Sequence, residues 1–136
     1  MADSFAQSAV RHWLDAIKLE AASRTDNADQ LFGLAAECGI KTALVTFPGI
    51  YKDGALDEQY KKHINELWNR VALQGLQKRF PGLLAFLRSA NPFHDWNTNQ
   101  RYAADGIVTA EALERHKSGA RRILGSVGLL GSRREN

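Results

Sequence analysis

The apolar residues in the first part of the chain recur every three or four positions, which is the period of a helix with one buried face. Residues 4 to 22 therefore predict a first helix. Asn27 and Gln30 resemble the capping box of a second helix, which ends at Pro48-Gly49. The predicted stripe of the first helix comprises Phe5, Ala9, Trp13, Ala16 and Ile17. That of the second comprises Leu31, Leu34, Ala35, Cys38, Thr42 and Val45.

The rest of the chain shows the same period with more interruptions. Residues 48 to 56 are polar and predict a loop, after which Asp57 is the expected cap of a third helix. Pro81 suits the first turn of a short fourth helix, and a connector over residues 91 to 108 precedes a last helix that begins at Thr109. The third stripe comprises Tyr60, Ile64, Leu67, Trp68 and Val71. The last comprises Leu113, His116, Ala120, Ile123, Leu124, Val127 and Leu130.

These elements predict an all-α fold, a four- to five-helix up-and-down antiparallel bundle. With 136 residues we expect one helical domain over residues 1–136, with a frayed tail from about residue 132. No apolar run approaches the roughly 18 residues of a membrane span, and the N-terminus lacks the pattern of a secretory signal. Cys38 is the single cysteine and cannot form an internal disulfide, so we expect a cytoplasmic protein with no membrane partner.

Charge is distributed unevenly along the chain. Residues 1 to 60 carry five basic and nine acidic groups, a net charge of −4, whereas the remaining residues carry 13 basic and six acidic groups, a net charge of +7. This asymmetry is typical of a polyanion-binding face in the C-terminal half, or of self-association between an acidic and a basic face. The alternative is that these charges only solvate the helices.

Several kinds of chemistry have no motif in this chain. There is no Gly-x-Gly-x-x-Gly, no Gly-Lys-Ser/Thr phosphate loop and no Cys-x-x-Cys, and we expect no cofactor. Carboxylate-metal sites in helical bundles use Glu-x-x-His, and none of the four histidines has a glutamate three residues before it. We therefore expect no metal site.

Glu37 and Lys41 are candidates for a buried polar network. They lie four residues apart beside the predicted apolar stripe, where an ion pair needs further polar partners. We expect contacts with side chains of the first or third helix, and His12 and His63 are the leading candidates. His12 also lies one turn from Asp15, a spacing that can orient an imidazole for acid–base work, although a surface polar pair is the alternative.

Two further groups could carry chemistry in the second half. Arg88 and His94 are separated by five residues, and such a pair could cleave RNA without a metal, because His exchanges a proton while Arg holds the phosphate. Trp96, Arg101 and Tyr102 place large side chains in the connector. We expect these to hold the connector against the bundle, with ligand contact as the alternative.

Two motifs stand out: Ala36-Glu37-Cys38-Gly-Ile-Lys41, and Trp96-x-x-x-x-Arg101-Tyr102 ahead of a last amphipathic helix. On these motifs, residues 9 to 45, and more loosely residues 96 to 130, resemble the HEPN domains of bacterial genomes, a superfamily named for higher eukaryotes and prokaryotes nucleotide-binding. It implies an up-and-down helical bundle that is often a dimer. Some members are metal-independent ribonucleases with Arg-x(4–6)-His, many of them toxins. Others lack that pair and accompany nucleotidyltransferases or bind nucleotides.

Only Arg88 and His94 match the nuclease spacing, and Ser89 and Pro92 depart from its usual setting. The expected function is therefore nucleotide or RNA binding by a homodimer, in a toxin–antitoxin or nucleotidyltransferase-associated system with an antitoxin or nucleotidyltransferase partner. The first alternative is a metal-independent ribonuclease that uses Arg88 and His94. The second is an interaction bundle that docks a protein through its acidic N-terminal face. The candidate network or ligand residues are His12, Asp15, Glu37, Lys41, His63, Arg101 and Tyr102.

Overall fold

The chain is mainly helical, as its hydrophobic period predicts. A computed structural model describes residues 4–71 and 75–130, and the tail predicted to fray from about residue 132 lies outside them. The helices are α1 (Phe5–Ala21), α2 (Thr25–Leu44), α3 (Ile64–Leu67), α4 (Leu76–Arg79), α5 (Pro81–Leu87) and α6 (Ala110–Ser126). An antiparallel hairpin pairs β1 (Tyr51–Lys52) with β2 (Ala55–Leu56). Three 3₁₀ helices cover Glu58–Tyr60, Trp68–Arg70 and Thr98–Tyr102.

Several helix starts follow from capping chemistry in the sequence. Ser4 caps α1 by accepting a hydrogen bond from a first-turn amide. Thr109 caps α6 in the same way, and Pro81 opens α5, both as predicted. A side-chain oxygen or a proline suits these positions because the first amides of a helix have no partner inside it.

The predicted capping box at the start of α2 is wrong. The helix begins at Thr25, and Asn27 and Gln30 lie inside its first two turns. The Gln30 side chain instead donates to the carbonyl oxygen of Asn97 at 3.2 Å. A capping box does form in the connector, where Asn97 and Gln100 satisfy each other's amides at the start of the last 3₁₀ helix.

The predicted third helix is also wrong in its extent. Asp57 caps only a three-residue 3₁₀ helix, and a four-residue α-helix follows at Ile64. The predicted stripe of this segment is nevertheless buried in full. Helical turns this short have little stability of their own, so contacts with distant parts of the chain decide the backbone here. One is the hydrogen bond from the Asn91 side chain to the Asn65 carbonyl, at 3.0 Å.

The segment predicted as a loop before Asp57 contains the β1–β2 hairpin. Its two-residue turn is Asp53-Gly54, with φ angles of 52° and 78°. An Asp-Gly pair is a strong short-range hairpin signal, because both residues accept positive φ in a tight turn. The predicted loop therefore has a defined backbone.

The long helices pack on one another, and their contacts fix their directions. Trp13 of α1 meets Phe32 of α2 edge to face, with ring centroids 5.3 Å apart, and α1 and α2 form a helical hairpin. Asp29 lies against His116 of α6, and Gly39, further along α2, lies against Ile123 two turns later in α6, so α2 and α6 run in the same direction. The segment that contains the short helices α3, α4 and α5 connects the end of α2 to the connector that precedes α6.

The connector is fixed to α2 by a buried tryptophan. Trp96 is 1% exposed, and its indole donates to the carbonyl oxygen of Asp29 at 3.1 Å. Gly33 lies so close to the indole that a Cβ on this residue would overlap the ring. Within residues 4–71 and 75–130, no helix is long and apolar enough to cross a membrane.

Candidate functional site

The first polar network lies in the C-terminal half of α2 and contains Glu37, Lys41 and His63. Lys41 Nζ lies 2.9 Å from Glu37 Oε2, and His63 Nδ1 lies 3.0 Å from Glu37 Oε1. The side chains of the α2 pair are about one tenth exposed, whereas that of His63 is 56% exposed. The predicted inward orientation of Glu37 and Lys41 and the predicted contact with His63 are therefore confirmed.

His12 and Asp15 stay apart from this network. Within the described part of the chain neither side chain has a hydrogen bond or ion pair, and Asp15 lies on the exposed face of α1. Burial, and then the neighbouring charge of Arg11, lower the pKa of His12. A His12–Asp15 hydrogen bond is therefore not formed, and Asp15 acts on His12 only through its charge, which raises the His12 pKa against the two larger effects.

A second network joins α2, α6 and the connector through His116. Its Nδ1 lies 2.6 Å from Asp29 Oδ1, and its Nε2 lies 2.8 Å from Asp95 Oδ1. Arg115 donates to the same Asp95 oxygen at 2.7 Å, and the Gln100 amide donates to the second Asp29 oxygen at 2.8 Å. The sequence pattern predicts His116 only as a stripe position, and it assigns no part in a polar network to Asp29 or Asp95.

The two carboxylates determine the protonation of His116. Burial lowers the pKa of this imidazole, but the hydrogen bonds and charges of Asp29 and Asp95 outweigh burial and raise it. For Asp95 burial acts to raise the pKa, and the hydrogen bonds from Arg115 and His116 outweigh it and hold the pKa well below its usual range. With a carboxylate on each ring nitrogen, His116 is an imidazolium ion that ties three segments together.

This arrangement leaves little acid–base chemistry to His116. Both ring nitrogens are engaged, and the residue is 1% exposed. A cavity of about 240 Å³ adjoins the network, bounded by Asp29, Asp95 and His116. Among the described residues, no group of three or more His, Cys, Asp or Glu side chains is placed to hold a metal ion.

The connector presents an aromatic side chain to solvent beside an arginine. Tyr102 is 77% exposed, and the Arg101 guanidinium lies over its ring, 4.7 Å from the centroid. Of the three large connector side chains expected to hold this segment in place, Trp96 does so and the other two do not. Arg101 and Tyr102 lie at the end of the last 3₁₀ helix, so neither contributes to the buried networks.

Arg88 and His94 lie on separate segments. Arg88 follows the last residue of α5, and His94 lies in the turn that leads to Trp96. Both are exposed, and neither has a side-chain hydrogen bond within residues 4–71 and 75–130. Both are therefore open to a ligand, and Pro92 lies between them in the chain.

Arginines also line the exposed side of α6. Arg122 lies over the Phe86 ring of α5 at 4.5 Å, and Arg121 lies over the Trp13 ring of α1 at 5.8 Å. Both residues are exposed. The rings orient the arginine stems while the charges face water.

Comparisons with known proteins return no relative. No family model matches the chain, no curated protein matches it, and no solved structure matches it.

Proposed function

We propose that this protein binds single-stranded RNA, with Arg101 and Tyr102 as the platform on which a base stacks. The observation that carries the proposal is the 77% exposure of Tyr102 beneath the Arg101 guanidinium. An exposed tyrosine ring does not gain the free energy of hydrophobic burial, and Trp96 already anchors the connector in the core. Tyr102 is therefore not needed to hold the connector in place. Base–aromatic stacking contributes roughly 1–3 kcal/mol per base and tolerates any sequence.

Charge in the second half of the chain supports the same proposal. The residues after position 60 carry a net charge of +7, and Arg88, Arg121 and Arg122 are exposed. Arginine attracts the phosphate backbone and can also stack on bases. A mononucleotide site is typically concave, whereas Tyr102 lies on an open surface. The open platform therefore favours a polymer over a single nucleotide.

The test is fluorescence anisotropy with a labelled, unstructured RNA of about ten nucleotides, at low salt. Replacing Tyr102 with Ala should weaken binding about tenfold, which corresponds to the loss of one stacked base. Tyr102→Phe keeps the ring and should bind like the wild type. Ile107→Ala removes another exposed apolar side chain of the same connector and should also leave affinity unchanged. Equal affinities for Tyr102→Ala and the wild type would reject the platform.

RNA cleavage by Arg88 and His94 is the second candidate, favoured by the exposure of both side chains and by their freedom from hydrogen bonds in the described residues. Cleavage would belong to the metal-independent, HEPN-like class suggested by the sequence. Wild-type cleavage of RNA in EDTA, lost in His94→Ala with binding retained, would support it. Absence of cleavage by the wild type would leave the binding function alone.

We also propose that the protein forms a homodimer through α1. A shallow groove of about 620 Å³ runs along this helix, bounded by Val10, Leu14 and Leu129. Arg11 and Asp15 flank it on the exposed face, so an antiparallel second copy would bring Arg11 of each copy opposite Asp15 of the other. Light scattering should show twice 15.1 kDa for the wild type and 15.1 kDa for Leu14→Glu.

An antitoxin or nucleotidyltransferase partner remains part of the proposal, as does the HEPN-like character of the helical arrangement. The interaction-bundle alternative is distinguished by its surface, because it uses the acidic N-terminal half. Loss of RNA binding in Tyr102→Ala would assign the function to the connector. A wild-type protein that binds no RNA would favour the interaction bundle.

A further inference from the structure

We propose that the pocket between α1, α2 and the β1–β2 hairpin binds a small organic anion, with a carboxylate or phosphate head and an apolar body. The pocket has a volume of about 260 Å³. It is distinct from the RNA platform. Asp29, which holds the connector, and Lys41, which bounds the pocket, are 12 residues apart on α2, or about 18 Å along the helix axis.

Lys41 supplies the central cation of this pocket. The residue is 9% exposed, and its Nζ lies 5.8 Å from the centroid of the Phe5 ring. Within the described residues its ammonium has one hydrogen-bond acceptor, Glu37 at 2.9 Å. An ammonium has three donors, so two remain for a ligand. A buried cation with unused donors at the wall of a cavity is suited to an anionic group.

The other walls supply a second cation and apolar surface. Lys61 bounds the pocket, and its side chain is 49% exposed with only a long 3.4 Å contact to the exposed Glu58. Phe5 and Leu56 contribute apolar walls, and Tyr51 contributes a ring with a phenol hydroxyl. Since the lining combines two lysines with apolar side chains, the ligand should be amphipathic.

The charge balance of the lining selects an anion over a cation. The charged residues that bound the pocket are the two lysines, and Glu37 lies behind Lys41 with its charge already matched. Lys61 pairs only weakly with Glu58, so the lining of the pocket carries an excess of positive charge. An anion entering beside the lysines also avoids the cost of burying an unpaired charge.

The experiment titrates ¹⁵N-labelled protein with benzoate, phenyl phosphate and benzyl alcohol, and follows backbone amide shifts. Saturable shifts at Lys41, Tyr51 and Lys61 are expected with at least one anion, and weaker binding with the uncharged alcohol. A response to benzoate alone would identify a carboxylate head, and a response to phenyl phosphate alone a phosphate head. Equal binding of benzyl alcohol, or no saturable shift with either anion, would overturn the proposal.

Variants test the role of the lysines without disturbing the buried pair. Replacing Lys41 would leave Glu37 buried without its partner, so the informative change is Lys61→Gln on the exposed side. It should weaken anion binding about tenfold, the size of one charge-assisted hydrogen bond. Lys52→Gln, next to Tyr51 but outside the lining, is the matched control and should bind like the wild type. Equal affinities for Lys61→Gln and Lys52→Gln would reject the assignment.

A Tyr102→Ala variant separates this pocket from RNA binding. It should lose RNA affinity and keep anion affinity, because the connector platform and the pocket share no residue. Loss of anion binding in Tyr102→Ala would contradict an independent pocket.

Discussion

His116 keeps a positive charge in the core, because a carboxylate accepts from each of its ring nitrogens. Asp29, Asp95 and Arg115 are the charged groups that face it. The raised pKa means that the folded state binds a proton more tightly than the unfolded chain. The resulting stabilisation is complete below the unfolded value of about 6.5, and it is lost as pH rises through the raised pKa.

The free energy of unfolding should therefore fall between pH 7.5 and pH 8.5 in urea denaturation, above the range in which the lowered pKa of His12 makes stability rise with pH. His116→Gln should flatten this slope, and His94→Gln, at an exposed histidine, should retain it. The pH range of the measurement ends at 8.5 because the Cys38 thiol affects stability above it. Burial, and then the charge of Glu37, raise the pKa of Cys38 to about 11 from 9.0. The free energy of unfolding therefore falls a second time above pH 9, where the thiol ionises in the unfolded chain. A wild-type stability that stays constant from pH 7.5 to pH 8.5 would contradict the imidazolium.

Gly33 tests how closely Trp96 packs on α2. Gly33→Ala should destabilise the protein by about 1–3 kcal/mol, because the new Cβ overlaps the buried indole and either helix or connector must shift. Gly49→Ala is the matched control, since a Cβ there meets nothing within 4 Å. Urea denaturation followed by tryptophan fluorescence measures both. Equal stability of the two variants would show that the connector adapts without cost.

Residue-scale prediction succeeded where partners are close in sequence or share a stripe. Glu37 and Lys41 are four residues apart, so their pairing follows from helical geometry. The second network joins Asp29 to His116 across 87 residues, and its other carboxylate, Asp95, comes from a connector without any period. No local pattern could place these groups together. The apolar stripe predicted for α2 does not include Asp29, although the structure buries this residue, so the sequence pattern carried no signal for the network.

At the scale of elements, the hydrophobic period predicts burial correctly over residues 57 to 71 but not in α2, where Ala35 is the one residue of the predicted stripe that is buried. Residues 57 to 71 bury every apolar side chain of the predicted stripe, yet the backbone forms short α and 3₁₀ turns. A series of short helical turns can bury side chains at the same three- and four-residue spacing when contacts with distant residues hold each turn. The hydrogen bond from the Asn91 side chain to the Asn65 carbonyl is one such contact. The connector likewise derives its order from contacts with α2.

Asp26 is a further attachment of the connector to α2. Its carboxylate accepts from the amides of Gly106 at 2.7 Å and Val108 at 3.2 Å. Asp26→Ala should speed hydrogen exchange at both amides by about tenfold or more, because each loses a charge-assisted bond. Asp105→Ala, an exposed carboxylate in the same segment, should leave these amides unchanged. Unaltered hydrogen-exchange protection of Gly106 and Val108 in Asp26→Ala would show that other contacts hold this end of the connector.

At the scale of the whole molecule, the uneven charge predicts how RNA affinity depends on salt. Each phosphate neutralised on a single strand contributes about 0.7 to the slope of log affinity against log salt. Arg101→Gln should reduce this slope by about that amount in anisotropy measurements from 50 to 200 mM salt. Tyr102→Ala should lower affinity at every salt concentration and keep the slope. An unchanged slope in Arg101→Gln would place the phosphate contacts elsewhere.

The attachment of α6 to α2 has a consequence for synthesis on the ribosome. The chain emerges from its N-terminus, so α1 and α2 are complete while Trp96, Gln100 and His116 are still to be made. During that interval the Asp29 carboxylate lacks its partners Gln100 and His116, which lie 71 and 87 residues further along the chain. The face of α2 around Gly33 is then exposed to water. Closing loops of this length carries an entropic cost that local helices do not offset. The Asp29 carboxylate of the nascent helical hairpin therefore stays unpaired until the connector and α6 have been synthesised.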